Sequence, residues 1–441
     1  MFVCQGCDAQ FSKWAGRCSE CEKWGTLLET TSSPGSIKKT TSVSAKTGVF
    51  LSTLKDHTTI RTSTGNQEVD RVLGGGIVPG SILLLSGEPG IGKSTLVTSL
   101  AGNIPSSSTN QTVLYISGEE SAQQLSDRFR RLNRSFDHIV YLESEPVEIL
   151  CTTIEKMKPT LAIIDSIQTI PSSEMEGVAG SPNVVRYATN LLLQCAKRTN
   201  IPILVIGQVT KDGAVAGPKT LEHLVDIVLT LEGDPLHAFR LLRATKNRFG
   251  STEEVGVFEM VREGLVCVPN PSERLLSERT SVPGSVIATV REGSRIFLVE
   301  IQALVEKSLY GNPVRRASGF DVNRLQMLSA ILSKRAGLQL GDQDIYVNVI
   351  GGIEISEPGA DLAVCAAIVS ASAGIADQIS TVYIGEVGLG GEIRSVPDCE
   401  RRLAEAVRFG ITNAVIPKKG KQSPFGKQLL LKSVQTISEL T

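Results

Sequence analysis

The 441-residue sequence predicts an α/β protein in three parts: a small metal-folded module, a parallel-sheet domain built around a phosphate loop, and a second α/β domain. Three observations carry this expectation. Four cysteines form two Cys-x-x-Cys knuckles within the first 21 residues, a glycine-rich loop sits between an apolar strand and a helix, and strand–helix alternation resumes after residue 270. Roughly 100 to 200 residues per domain leaves room for two to four domains. The expected boundaries are a metal module at 1–28, a linker at 29–60, a nucleotide-binding domain at 61–270 and the second α/β domain at 271–441.

Composition narrows the function classes. The 45 Lys plus Arg nearly cancel 46 Asp plus Glu, so no overall basic field marks a nucleic-acid surface, and any such site must be local. No basic, apolar signal peptide opens the chain, and the most apolar stretch, 362–376, suits a packed helix better than a membrane span. A cytoplasmic protein without membrane contact is expected. Cys151, Cys195, Cys267, Cys365 and Cys399 are scattered through apolar or helical segments, where a free thiol acts as a small core residue.

At the amino terminus, Cys4 and Cys7 are followed, after ten residues, by Cys18 and Cys21. Four thiolates spaced this way can close a tetrahedron about zinc, a closed structural site. A segment this short has no real core, so the metal has to fold it. Trp14 and Trp24, the only tryptophans in the chain, are expected to pack around the knuckles. The Ser/Thr-rich segment that follows reads as a flexible linker.

The buried strand expected at 81–86 runs directly into Gly87-Glu88-Pro89-Gly90-Ile91-Gly92-Lys93-Ser94-Thr95, which fits the phosphate-loop pattern GxxxxGK[ST]. Its glycines let backbone N–H groups converge on phosphate oxygens, and a helix starting near Lys93 offers its positive end. Lys93 is expected to reach the β and γ phosphates, and the Ser94 hydroxyl to ligate magnesium. The apolar strand at 160–165 ends in Asp165, placed to hold magnesium. The strand at 113–117 ends in Gly118-Glu119-Glu120, putting carboxylates at the sheet edge where one can serve as general base. The strand at 203–206 leads to Gln208, an amide suited to sensing the γ-phosphate.

The order of these parts resembles the RecA-like ATPases, among them RecA recombinase, DnaB-type helicases and KaiC. The resemblance implies that Glu119 rather than Glu120 activates water and that Gln208 is a switch. It also implies that the loop at 209–219 faces DNA, with Lys211 and Lys219 as its basic residues. Farther on, the chain from Gly341-Asp342 to Val415-Ile416-Pro417 resembles the carboxyl-terminal domain of Lon proteases. Active members use a serine and a lysine, whose positions align here with Gly359 and Glu400. Neither can run acyl transfer by that route, so the Lon-protease-like fold is expected without peptidase activity. Lys418, Lys419 and Lys421 form a basic cluster that reads as a solvated face.

Zinc knuckle, RecA-like core and inactive Lon-like domain, in this order and with Lys246-Asn247-Arg248-Phe249-Gly250, resemble the RadA (Sms) family of bacterial DNA-repair proteins. Read alone, the pentapeptide is a polar turn. The resemblance implies a DNA-dependent ATPase and helicase with ATP, magnesium and zinc as cofactors. It further implies hexameric rings that process recombination intermediates on single-stranded and branched DNA with RecA recombinase. Lys246 and Arg248 then act as cationic fingers toward a neighbour's γ-phosphate. Three alternatives stand beside it: a KaiC-like regulatory ATPase that does not move on DNA, an ATP-dependent protease, and a zinc-ribbon adaptor with a vestigial ATPase.

Overall fold

The computed structural model describes residues 2–4, 10–11, 13–19, 23–29, 61–104, 112–207, 221–233, 239–308, 311–377, 380–418 and 428–441. Contacts divide the chain into two units, Met1–Thr58 and Thr59–Thr441.

In the first unit, β1 (Phe2–Cys4), β2 (Gln10–Phe11) and β3 (Leu27–Glu29) form an antiparallel sheet with β1 in the middle. Cys4 and Cys18 are buried with Leu27. Three short strands enclose nothing larger among the described residues, so the tryptophans have no interior to enter. Trp14 and Trp24 both lie near Gly16, two residues before Cys18, but are 63% and 76% exposed.

The second unit opens with α1 (Gln67–Leu73), capped by the Asn66 side chain on the Val69 N–H. β4 (Ile82–Gly87) is buried along its whole length and leads into α2 (Lys93–Asn103). There follow β5 (Val113–Ser117), α3 (Ala122–Arg131), β6 (Ile139–Glu143), α4 (Val147–Met157), β7 (Leu161–Asp165), α5 (Pro182–Thr199) and β8 (Ile203–Ile206). β9 (Ile227–Glu232), β10 (Phe239–Asn247), β11 (Val255–Val261) and β12 (Gly264–Cys267) complete a nine-stranded sheet, ordered β12-β11-β10-β9-β4-β8-β7-β5-β6. The strands from β9 to β6 in that order run parallel, and β10 to β12 continue as an antiparallel arm. Strand alternation divides the core: Leu83 and Leu85 pack with α1, α2 and α3, whereas Ile82 and Leu84 pack with α4 and α5. A parallel sheet covered on both faces needs such continuous apolar strands.

α6 (Pro271–Leu276) leads into a seven-stranded sheet. Its strands are β13 (Ser285–Glu292), β14 (Arg295–Lys307), β15 (Arg315–Ser318), β16 (Gln343–Val349), β17 (Thr381–Tyr383), β20 (Asn413–Pro417) and β21 (Leu430–Val434). Their order is β15-β16-β14-β13-β17-β20-β21, and β18 (Glu386–Val387) with β19 (Ile393–Arg394) forms a separate ribbon. The helices are α7 (Val322–Arg335), α8 (Asp361–Ala373) and α9 (Cys399–Arg408).

The segment after Asn270 is not a loose connector. Leu275 of α6 joins Phe239 and Val257 from the first sheet in one buried cluster with Val286, Val299 and Ile301 of the second. Glu68 of α1 adds a polar tie, accepting from the Val257 N–H at 3.0 Å and from Arg295 Nη1 at 2.6 Å. No described helix is long and apolar enough to cross a membrane.

Candidate active site

The carboxyl ends of the parallel strands build the site. After β4 the chain turns through 88–92 into α2, and two glycines are sterically required there. At Gly87 (φ +150°) a Cβ would lie 2.5 Å from the Leu231 carbonyl oxygen, and at Gly92 (φ +113°) 2.7 Å from Met260 Cε. The loop is therefore seated on β9 and β11. No side chain caps the start of α2, so its first N–H groups face outward, where an anion is favoured.

A cavity of about 290 Å³ opens over this loop, lined by Gly90, Lys93, Ser94, Thr95, Glu119, Arg128 and Asp165 among others. Lys93 Nζ donates to the carbonyls of Gly87 at 2.8 Å and Glu88 at 2.9 Å. Burial pushes the Lys93 pKa down, while the Asp165 and Glu119 carboxylates oppose that shift. Asp165 ends β7, buried, and accepts from the Tyr115 hydroxyl at 2.9 Å. Burial pushes its carboxyl above the usual range, against the hydrogen bonds from Tyr115 and Ser94. A hydroxyl beside a carboxylate is an oxygen donor set that suits magnesium.

The structure separates the two adjacent glutamates. Glu119 lines the cavity and accepts from Ser166 Oγ at 2.6 Å. Glu120 is gripped by Arg128, and its carbonyl accepts from the Tyr141 hydroxyl at 2.9 Å. Tyr115, Ser166 and Arg128 were not singled out from the sequence. Arg128 carried one legible signal, a cation on the apolar stripe of α3 between Leu125 and Leu132.

The pentapeptide is placed differently from expectation. Lys246 and Asn247 belong to β10, beyond a register shift after Ala244, so only its last residues turn. The bulge lets the ladder with β9 continue through both polar residues. Lys246 Nζ donates to the carbonyls of Glu222 at 2.6 Å and His223 at 3.3 Å. Arg248 pairs at 3.4 Å with the buried Asp226, which also accepts from Lys197 at 2.8 Å. Phe249 lies under the Lys197 ammonium, 5.8 Å from its ring centre, and its carbonyl accepts from Arg61 at 2.7 Å. Neither Lys246 nor Arg248 lines the cavity of its own chain. Gln208, Lys211, Lys219, Cys7, Cys21, Lys419 and Lys421 lie outside the described residues.

A larger cavity of about 970 Å³ lies between the two sheets, where Arg243 bridges Glu232 and Glu292. Lys93, Ser94, Glu119 and Asp165 line the smaller cavity and not this one.

In the second sheet, Gly359 stands just before α8, and a Cβ there would come 3.1 Å from Arg402 Nη1. Arg402 is fully buried, donating to Pro397 O, Thr289 O and Thr289 Oγ1 and pairing with Glu357 at 2.5 Å. Glu400, which the sequence alignment set opposite Gly359, is exposed on the first turn of α9. The residue that reaches Gly359 is thus Arg402, because positions two apart on a helix point to opposite sides.

Comparison with known proteins agrees with this architecture. A family model described as an AAA domain matches residues 51–214, one described as subunit ChlI of Mg-chelatase matches 322–420, and a rubredoxin metal binding domain matches 2–29. The burial of Cys4 and Cys18 together fits the thiolate donor set of such a metal site. A DNA repair protein RadA of Listeria monocytogenes is 43% identical over 99% of this chain and 96% of its own length. One from Aquifex aeolicus is 43% identical over 95% of this chain and 93% of its own. A KaiC-like protein from Pyrococcus horikoshii aligns over 48% of this chain and 100% of its own, with 19% identity and a TM-score of 0.40, too low to bear on the fold. The chain carries an AAA-type ATPase domain between a zinc ribbon and a Lon-like domain, and with identity sustained over nearly its whole length it belongs to the RadA family of DNA repair proteins.

Proposed function

We propose that the protein is a DNA-dependent ATPase and helicase that drives branch migration or unwinding of recombination intermediates. It works on single-stranded and branched DNA in cooperation with RecA recombinase, as a hexameric ring. The observation that carries this reading is a division of labour. Lys93, Ser94, Glu119 and Asp165 share one cavity, whereas Lys246 and Arg248 lie outside it on the same chain. A neighbouring subunit that presents those cations completes the site.

In the reaction, Lys93 and the N–H groups of the loop hold the β and γ phosphates of ATP. Ser94 and Asp165 hold magnesium, which neutralises charge on the phosphate oxygens when bound. Glu119, oriented by Ser166, takes the proton of the attacking water as the oxygen bonds to the γ-phosphorus and the bond to the bridging oxygen breaks, releasing ADP. Lys246 and Arg248 of the neighbour stabilise charge in the transition state, an effect of about three to five powers of ten in other nucleotidases. Gln208 senses the γ-phosphate, and Lys211 and Lys219 contact the DNA backbone. Cys4, Cys7, Cys18 and Cys21 hold zinc, and residues 29–60 tether that module to the domains at 61–270 and 271–441. The packing of Arg402 against Gly359 supports a Lon-like domain that is not a peptidase.

Hydrolysis and unwinding on forked DNA, compared between the wild type and Lys93→Ala, test the motor. DNA stimulation and unwinding that depend on Lys93 are expected. Hydrolysis indifferent to DNA would instead identify a regulatory ATPase. Mixing Lys93→Ala with Arg248→Ala subunits should restore some turnover, because some interfaces then pair an intact loop with an intact finger. No recovery in rings shown to hold both subunits would exclude action in trans.

A further inference from the structure

The nucleotide cavity holds a cation that the hydrolysis scheme does not use. Arg128 lies on α3, three residues after Leu125 and four before Leu132, on the helix face turned inward, with 18% of its side chain exposed. Its Nη2 grips Glu120 Oε1. Arg128 Nη1 and Glu120 Oε2 are both buried without a hydrogen-bond partner, so a fork that could close two bonds closes one.

Glu120 and Glu119 leave the same tight turn, their N–H groups converging on Ser117 Oγ at 3.0 and 3.3 Å. Asp165 lies close enough to Glu119 for their charges to interact. A third carboxylate swinging into this cavity would repel the γ-phosphate and compete for the attacking water. The Ser117 contacts fix the backbone of the turn and do not touch the Glu120 carboxylate. What holds that carboxylate is Arg128.

We propose that Arg128 is a positioning residue for hydrolysis: by holding Glu120 aside, it leaves Glu119 as the single carboxylate that faces the attacking water. This deepens the hydrolysis reading above and rests on it.

The test is a set of kcat and nucleotide-affinity measurements on full-length protein, with a fluorescent ADP analogue reporting affinity. Arg128→Ala is expected to lower kcat roughly thirty- to a hundredfold, the scale of a misplaced catalytic group, while affinity changes by less than about twofold. Arg128→Lys should recover part of the rate, since it keeps the charge but loses the fork. Adding Glu120→Gln to Arg128→Ala removes the stray charge and should recover most of the loss. A structural role for Arg128 would instead lower kcat, affinity and melting temperature together, with no rescue by Glu120→Gln, and would overturn the proposal. So would an unchanged kcat in Arg128→Ala beside a wild type whose turnover Lys93→Ala abolishes. A wild type with no such turnover sinks the hydrolysis reading, and the Arg128 proposal with it.

Discussion

Tyr115 is a phenol fully buried at the middle of strand β5, and its hydroxyl donates its proton in a hydrogen bond to Asp165. Burial, with Asp165 adding to it, pushes the Tyr115 pKa well up, so the phenol stays protonated and remains a donor. The same burial raises the Asp165 carboxyl, and the bond from Tyr115 counters it. Partners of this kind set the aim and basicity of a metal-binding carboxylate. Tyr115→Phe keeps the ring in the core and removes only the donor. The magnesium concentration for half-maximal hydrolysis should rise about ten- to a hundredfold with little change in melting temperature; an unaltered magnesium requirement would show that Asp165 is held by other means. The phosphate loop was legible in the sequence because its signature is contiguous: glycines at positive φ at Gly87, Gly90 and Gly92, then the charge of Lys93. Tyr115 and Ser166 were not, because their partners Asp165 and Glu119 lie 50 and 47 residues away along the chain.

Helix α9 shows where element-level reasoning stops. The sequence reads as an amphipathic segment at 322–335, a small-residue helix at 361–373 and another helix at 399–408, and α7, α8 and α9 occupy those spans. Which residue of α9 meets Gly359 depends on helix phase: at about 100° per residue, Glu400 and Arg402 face nearly opposite ways. Motif alignment puts Glu400 at the lysine's position, whereas the side chain that packs on Gly359 is Arg402, which ties α9 to β13 at Thr289 and to Glu357 just before α8. Strand β10 holds a similar lesson, since the polar Lys246 and Asn247 read as a turn but continue the ladder with β9. Arg402→Ala strips a partner from one carboxylate, two carbonyls and a hydroxyl. Urea denaturation should show a loss of about 3 to 5 kcal/mol, the usual cost of breaking a buried pair from one side. Arg402→Lys should restore only part, because one ammonium cannot span the acceptors a guanidinium reaches. A loss below about 1 kcal/mol for Arg402→Ala would mean that the helix is anchored by its apolar face alone.

At the scale of the whole molecule, two kinds of folding unit share one chain. The two large sheets are joined by a common apolar cluster that draws Phe239, Val257, Leu275 and Val299 together, so Thr59–Thr441 should lose its structure as one body. The amino-terminal unit has only Cys4, Cys18 and Leu27 buried among its described residues, too little apolar surface to fold a chain without a metal. Both tryptophans of the protein lie in that unit and both are exposed, so their emission reports on it alone. Removing the metal with a strong chelator should lower tryptophan fluorescence anisotropy and make the knuckle cysteines reactive toward a thiol reagent. Nucleotide affinity at Lys93 should stay within about twofold, because the phosphate loop packs on β9 and β11 of its own unit. Readdition of zinc should reverse both signals. If chelation instead abolished nucleotide binding, the metal unit would have to brace the ATPase core. If anisotropy and thiol reactivity did not change, the knuckles would not depend on metal for their fold.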